Sequence, residues 1–328
     1  MPKLTRFGLL LGGVAGTTPL ASQTADIGPP PGELVDIGGR SLHVICSGSG
    51  TPTVLIEAGA SAFAIDFSLV QPGIARATRV CAYDRAGMGW SSPRGDLETP
   101  ARIVADLDAM LKAMGEKRPF VLVGASFGAI YARLYQLDHP ADVAGLVLVD
   151  PATEDRLFTM YRGEAVTIAS LTTEQLSSTL PAAGSVPIRS RPPQTGAPFD
   201  RLPPDLYQLR LKLDQRLIAS MPSMLTAEQV RESSEGRRTG LARLLQSRSR
   251  PDAPIGTRPV VVLTRGLDVT DGLTENHAGV AKLSNNARHT VVPDAGHEIH
   301  LFSPGAVIQA VHDVVTAVRQ GSRLPARP

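Results

Sequence analysis

The sequence predicts an α/β fold: a mostly parallel β-sheet covered by helices on both faces. Two observations carry that prediction. Almost wholly apolar runs recur along the chain, among them Thr53–Ile56, Phe120–Val123, Gly145–Asp150 and Pro259–Leu263. Strands buried on both faces read this way, without the polar–apolar alternation of a half-exposed sheet. Between the runs lie stretches of helical periodicity, and that alternation builds parallel sheets. An early hairpin, Glu33–Ile37 and Ser41–Cys46 about Gly38-Gly39, adds an antiparallel edge and makes the sheet mixed.

The elements follow in order. Thr53–Ile56 ends in Glu57-Ala-Gly-Ala-Ser61, and Arg79–Asp84 ends in the glycine-broken loop Arg85–Ser91. Thr99-Pro100 begins a helix, with Thr as cap and Pro in the first turn. Ile103, Leu107, Met110 and Leu111 form its apolar face. The Phe120–Val123 strand leads through Ser126 into a helix running to about Asp138, and Gly145–Asp150 is the next strand. Residues 151–257 change character, with frequent Pro, Ser and Arg, a loop over Pro187–Gly196, and helical patterns around Asp205–Ile218 and Thr226–Gln246. They read as an inserted, mainly helical cap. Strands resume at Pro259–Leu263 and Arg288–Val292, and a helix from Pro304 to Arg319 closes the pattern. The division is therefore a leader over 1–32, a core over 33–150 and 258–320, the cap over 151–257, and a tail over 321–328.

Composition narrows the class of function. The 328 residues suffice for one large domain with an insertion, and 42% hydrophobic with 20% charged residues fits a soluble globular protein. The formal net charge is +2 without a Lys/Arg run, which argues against a nucleic-acid partner. Lys3 and Arg6 precede a short apolar stretch, Phe7–Gly16, followed by a polar, proline-rich segment. This order describes a secretory signal peptide and is too short for comfortable membrane insertion. The expected location is secreted or periplasmic, with the cytoplasm as the alternative. Cys46 and Cys81 lack metal-site spacing and stand as either a bridge or buried thiols.

Gly124-Ala-Ser-Phe-Gly128 fits G-x-S-x-G between a strand and a helix. Such an elbow holds its serine in a tight turn above the sheet and needs small residues two places either side. A serine hydroxyl is a weak nucleophile, so it requires a base that an acid orients. His297 stands in Asp294-Ala-Gly-His297, a loop directly after the last strand, and is the expected base. Asp268, in Arg265-Gly-Leu-Asp268 after the preceding strand, is the expected acid, with Asp150 as the alternative and Asp271 as a nearby rival. The oxyanion donors are expected at the amides of Phe127 and Ala60.

Glu57-Ala-Gly59, Tyr83–Ser91, Gly124–Gly128, Leu146–Asp150 and Gly296-His297 together resemble the α/β-hydrolases, in the order that superfamily shows them. The resemblance implies an eight-stranded sheet with the cap inserted after the sixth strand. It also makes the strands of Cys46 and Cys81 neighbours, so a bridge becomes geometrically conceivable. Ala58 and Ala125 stand where many members have histidine. A serine at the elbow sets the chain apart from the dehalogenase and epoxide-hydrolase members, which use Asp there. The expected activity is cleavage of an ester of a small or medium, partly apolar molecule. Amide or peptide hydrolysis, acyl transfer and cofactor-free perhydrolysis use the same triad and remain alternatives, as does a non-catalytic binding protein. No metal, cofactor or dinucleotide fingerprint is found, and a monomer is compatible with this chemistry.

Overall fold

The computed structural model describes residues 27–93, 97–187, 191–250 and 253–326. Most of the expected leader therefore lies outside the described residues. The first part of the core comprises β1 (Glu33–Asp36), β2 (Ser41–Ser47), β3 (Val54–Glu57), α1 (Gln71–Ala75) and β4 (Val80–Tyr83). It continues with α2 (Pro100–Ala113), β5 (Phe120–Ala125), α3 (Gly128–Asp138) and β6 (Val143–Val149). The intervening segment holds a hairpin of β7 (Phe158–Tyr161) and β8 (Glu164–Thr167), then α4 (Thr173–Ser178) and β9 (Ser185–Pro187). It ends with α5 (Pro204–Ser220), β10 (Met224–Thr226) and α6 (Ala227–Arg248). The core resumes with β11 (Val260–Arg265), α7 (Leu273–Ala281), β12 (Ala287–Val292), α8 (Ile299–Phe302) and α9 (Pro304–Gln320).

Eight strands form one sheet in the order β1-β2-β4-β3-β5-β6-β11-β12. The β1–β2 and β2–β4 pairs are antiparallel, and every later pair is parallel. Alternate residues of each apolar run serve opposite faces, as the two-residue strand period requires. Leu122, Leu146 and Leu148 pack with Ile103, Leu107 and Leu134 of α2 and α3. Val121, Val123 and Val147 pack instead with Ile74, Val307 and Val311 of α1 and α9. Each such side chain, once fully buried, contributes about 1.5–3 kcal/mol of transfer free energy.

The helix signals act where they were read. The Thr99 hydroxyl accepts from the Arg102 amide, and Pro100 occupies the first turn of α2. The segment between β6 and β11 is not purely helical: two short antiparallel ribbons, β7–β8 and β9–β10, accompany its helices. Nor does it sit only above the site, because Leu241 and Leu244 of α6 join the apolar layer of α2 and α3. Cys46 and Cys81 face each other in the β2–β4 pair and are bridged, with Cα atoms 4.1 Å apart.

Candidate active site

The site lies where strands end. In open α/β sheets the carboxyl ends of the strands carry the chemistry, and β3, β5, β6, β11 and β12 all deliver residues to one corner. Ser126 directly follows β5 with φ of 51°, a left-handed conformation that costs a non-glycine residue about 1–3 kcal/mol unless its surroundings enforce it. The enforcement is visible. The Ser126 amide donates to the Val149 carbonyl at 3.0 Å, and the Ser126 carbonyl accepts from Ala129 and Ala152 at 3.0 Å each. A Cβ on Gly128 would stand 2.1 Å from the Glu57 carbonyl oxygen, and one on Gly124 would stand 2.6 Å from Ala129 Cα. The two glycines let α3 press against β3 and β5 so closely that the turn cannot relax.

His297, in the loop after β12, places Nε2 2.9 Å from Ser126 Oγ and Nδ1 2.6 Å from Asp150 Oδ2. These partners assign the tautomer. Nδ1–H donates to the carboxylate, leaving Nε2 as the acceptor for the serine proton.

Asp150, the alternative acid of the sequence reading, thus takes the position expected of Asp268. It directly ends β6 and is 2% exposed. Its Oδ1 accepts from the Arg265 amide at 3.0 Å, and its Oδ2 from the Arg265 guanidinium at 3.0 Å. Burial alone pushes the Asp150 carboxyl up. Hydrogen bonds from His297 and the Arg265 amide, with the charges beside them, outweigh that and hold it below its ordinary value.

Asp268 is exposed and makes no hydrogen bond to His297 among the described residues. The reason is the path of the chain after β11. The Gly266 amide donates to Val292 and Ala295 carbonyls, and the Leu267 amide to Ala295, so this segment is bound to the outside of the His297 loop. A Cβ on Gly266 would stand 2.4 Å from the Pro293 carbonyl oxygen, so the two loops touch through backbone. Asp271 is likewise exposed, and its carbonyl accepts from Arg156.

The expected oxyanion donors flank the serine. Phe127 caps α3, where the helix dipole favours developing negative charge. Neither the Phe127 amide nor the Ala60 amide has a hydrogen-bond acceptor among the described residues. Gly59 brings the Ala60 loop against the nucleophile, since a Cβ there would lie 3.2 Å from Ser126 Cβ.

A cavity of about 290 Å³ opens beside Ser126 and His297, with Phe127, Phe199, Arg210 and His300 among its walls. Arg210 comes from α5 and is fully buried. It donates to Asp66 at 3.0 Å and to Gln194 Oε1 at 2.7 Å, and its guanidinium lies over the Phe199 ring. Burial pushes Asp66 up to about 6 against the opposing charge of Arg210. His300 stacks on Phe67 and neither ring nitrogen has a partner among the described residues. Burial, with help from the charges of His297 and Arg210, holds it down at about 3, so it is a neutral ring at ordinary pH.

Sequence reasoning did not find Arg265, Arg210, Asp66 or the buried cluster at Glu57. Arg265 carried a signal, a charged residue closing an apolar strand. So did Glu57, which closes the apolar run of β3, whereas Arg210 and Asp66 meet across a long sequence distance and left none. A wider hollow of about 530 Å³, lined by Pro119, Val143 and Pro259, sits at the opposite strand ends, away from the nucleophile. Asp108, His139 and Asp142 bring three ligand-type atoms together, but Lys112 and Arg118 already neutralise the two carboxylates.

Known proteins share this architecture. Residues 44–310 match the model of the alpha/beta hydrolase family. The chain belongs to that family. A relative from Bacillus subtilis strain 168, the uncharacterized protein YqjL, is 23% identical over 278 residues, 83% of this chain and 87% of its own length. The probable transporter efuK of Hormonema carpetanum is 31% identical over 129 residues, 37% of this chain and only 18% of that protein. A thermophilic esterase from Thermogutta terrifontis superposes with a TM-score of 0.56 at 19% identity, covering 85% of this chain and 94% of its own. The epoxide hydrolase CorEH gives 0.59 at 16% identity, covering 88% and 99%. At such identities the likeness shows the fold, and the hydrolase's own residues must argue its chemistry.

Proposed function

We propose that this hydrolase cleaves an ester of a small or medium, partly apolar molecule through an acyl-enzyme on Ser126. The observation that carries the reading is the chain of two hydrogen bonds from Ser126 Oγ through His297 to Asp150, 2.9 and 2.6 Å. In the first step Ser126 Oγ attacks the ester carbonyl as His297 Nε2 takes its proton. Asp150 holds the imidazole in the right tautomer and stabilises its cation. The tetrahedral oxyanion settles between the Phe127 and Ala60 amides. His297 then protonates the leaving alkoxide, and a water activated by the same nitrogen releases the acid.

A serine rather than an aspartate at the elbow supports acyl transfer to an oxygen nucleophile over the chemistry of an epoxide hydrolase. The cavity supports a compact substrate: Phe127 and Phe199 offer apolar contact, and Arg210 and His300 give one polar end. The test is a panel of esters, thioesters and amides of graded chain length with the wild type and Ser126→Ala. Esters of short to medium chains are expected to turn over in the wild type and not in the variant. Unchanged hydrolysis by Ser126→Ala would sink the proposal.

Export is part of the same proposal. The Cys46–Cys81 bridge supports it, because structural disulfides persist in oxidising compartments. N-terminal sequencing of the mature protein checks it: an intact Met1 on exported material, or wholly cytoplasmic protein, contradicts it.

A further inference from the structure

The loop Tyr83–Ser91 carries a buried cation that the triad does not use. Arg85, 5% exposed, sits beneath the oxyanion loop. Its Nη1 donates to Glu57 Oε1 at 3.0 Å and to the Ala58 carbonyl at 2.7 Å, and its Nη2 donates to the Gly59 carbonyl at 2.8 Å. Glu57, the last residue of β3, also accepts from the Tyr83 hydroxyl, and the guanidinium lies 5.4 Å from the centre of the Tyr131 ring. A cation this deep needs partners for its donors, and two of those partners are consecutive carbonyls of the loop that brings Gly59 against Ser126.

The geometry of a trans peptide gives this contact a consequence. The carbonyl of residue i and the amide N–H of residue i+1 belong to one plane and point opposite ways. With the Gly59 carbonyl drawn to Arg85, the Ala60 N–H must face away from Arg85, on the side where Gly59 lies against Ser126. A second bond, Ala62 amide to Gly59 carbonyl at 3.3 Å, closes the turn on the same oxygen, with Ser61 in the left-handed region at φ 56°. This strained turn has no helix or strand ladder of its own to hold the Ala60 peptide plane. Rotation of that plane would break the Gly59 bond to Arg85 and turn the Ala60 donor away from the nucleophile.

We propose that Arg85 is a positioning residue that fixes the Gly59–Ala60 peptide so that the Ala60 amide faces the oxyanion formed at Ser126. The proposal rests on the serine-hydrolase reading above. Arg85 does not touch substrate, so its removal acts on the transition state and leaves substrate binding almost unchanged. Loss of one oxyanion donor typically lowers kcat about 10²–10³-fold. A donor that is misplaced rather than deleted lies below that range, so Arg85→Met is expected to lower kcat roughly 10–100-fold with KM within about twofold.

The test compares wild type, Arg85→Met and Arg85→Lys on one ester. Alongside kcat and KM, it measures inhibition by a trifluoromethyl ketone of matching chain, which adds the serine oxygen to its carbonyl and bears the oxyanion. The ketone's Ki is expected to weaken by the same factor as kcat/KM, with the Arg85→Lys variant between the others. The Arg85→Lys variant keeps the buried charge but gathers its donors on a single nitrogen, so the comparison stands even if Arg85→Met does not fold. Equal ketone affinity and kcat in wild type and Arg85→Lys overturn the proposal. So does a loss confined to KM, which marks a role in shaping the cavity. A wild type that forms no ketone adduct overturns the hydrolase reading itself and this proposal with it. A wild type that is inhibited while the Arg85 variants match it overturns the Arg85 role alone.

Discussion

Two neighbouring strands, β6 and β11, each end in a loop with an aspartate in the left-handed region, Asp150 at φ 42° and Asp268 at φ 52°. One is buried against His297 and the other stands in the open. The difference lies in the few residues just past each strand. Asp150 is the first residue after β6, and its amide still donates to the Leu263 carbonyl of the adjacent strand at 2.8 Å. Its side chain therefore enters the corner between Ser126 and the His297 loop. Asp268 comes three residues after β11, beyond Gly266, and by then the chain has been taken up by the backbone of the His297 loop. An acid is placed by its distance from the last paired residue, not only by the side of the sheet on which it emerges.

The Asp150 corner is also saturated. Behind the carboxylate, His277 lies 4.0 Å from Oδ1, bonded to Thr264 and to the Pro151 carbonyl, and burial holds it down at about 4. Nothing comparable surrounds Asp268 among the described residues.

The largest expected effect is on the buried corner. Asp150→Asn should lower kcat for an ester roughly 10⁴-fold while leaving the fold intact by circular dichroism, since the histidine loses its tautomer and its counter-charge. A fall of less than tenfold would erase the contrast between the two strand ends. Next comes a control far from both. Replacing Cys46 and Cys81 by serine opens a loop with a sequence separation of 35 and should cost about 3–4 kcal/mol in unfolding by urea. Because β2 and β4 lie away from Asp150, kcat below the transition should not change.

Acid should weaken the buried side in a defined way. His277 and His300 have folded values near 4 and 3, below the ordinary 6.5, so the unfolded chain binds more protons as pH falls below 6.5. Asp66 has the opposite sign: at about 6 it lies above the ordinary 3.8, so between these values the folded chain takes the extra proton. Between pH 6 and 4 each of these two histidines therefore contributes a loss of about 1.4 kcal/mol per pH unit, and Asp66 a gain of similar size. Urea titrations across that range measure the balance. In His300→Phe, which keeps the stacking on Phe67, the loss should be shallower by about 1.4 kcal/mol per pH unit; an unchanged slope rejects the assignment. Arg265→Met should lower kcat about tenfold, because the Arg265 backbone amide still serves Asp150. Asp268→Asn should change kcat less than twofold.

These contrasts also show what the sequence could reveal. The apolar runs made the sheet legible, because a strand buried on both faces leaves no polar position. Ser126 was legible because it stands directly after a strand, and His297 because it sits in the glycine-containing loop that follows one. Asp268 was favoured over Asp150 on topology alone, and the stagger that excludes it depends on how Gly266 and Leu267 dock on Ala295. That is a tertiary fact with no local trace. The insertion was least legible: Arg210 lies in an ordinary amphipathic helix and becomes part of the cavity only by reaching Asp66, 144 residues away in sequence.

The most direct test of the central claim, that Asp150 completes a reactive Ser126–His297 pair, is the labelling rate with a fluorophosphonate. Intact-mass measurement on wild type, Ser126→Ala, Asp150→Asn and Asp268→Asn would follow it. Wild type and Asp268→Asn should label at the same rate, Asp150→Asn orders of magnitude more slowly, and Ser126→Ala not at all. Slow labelling of Asp268→Asn beside normal labelling of Asp150→Asn, or no labelling of the wild type, would contradict it.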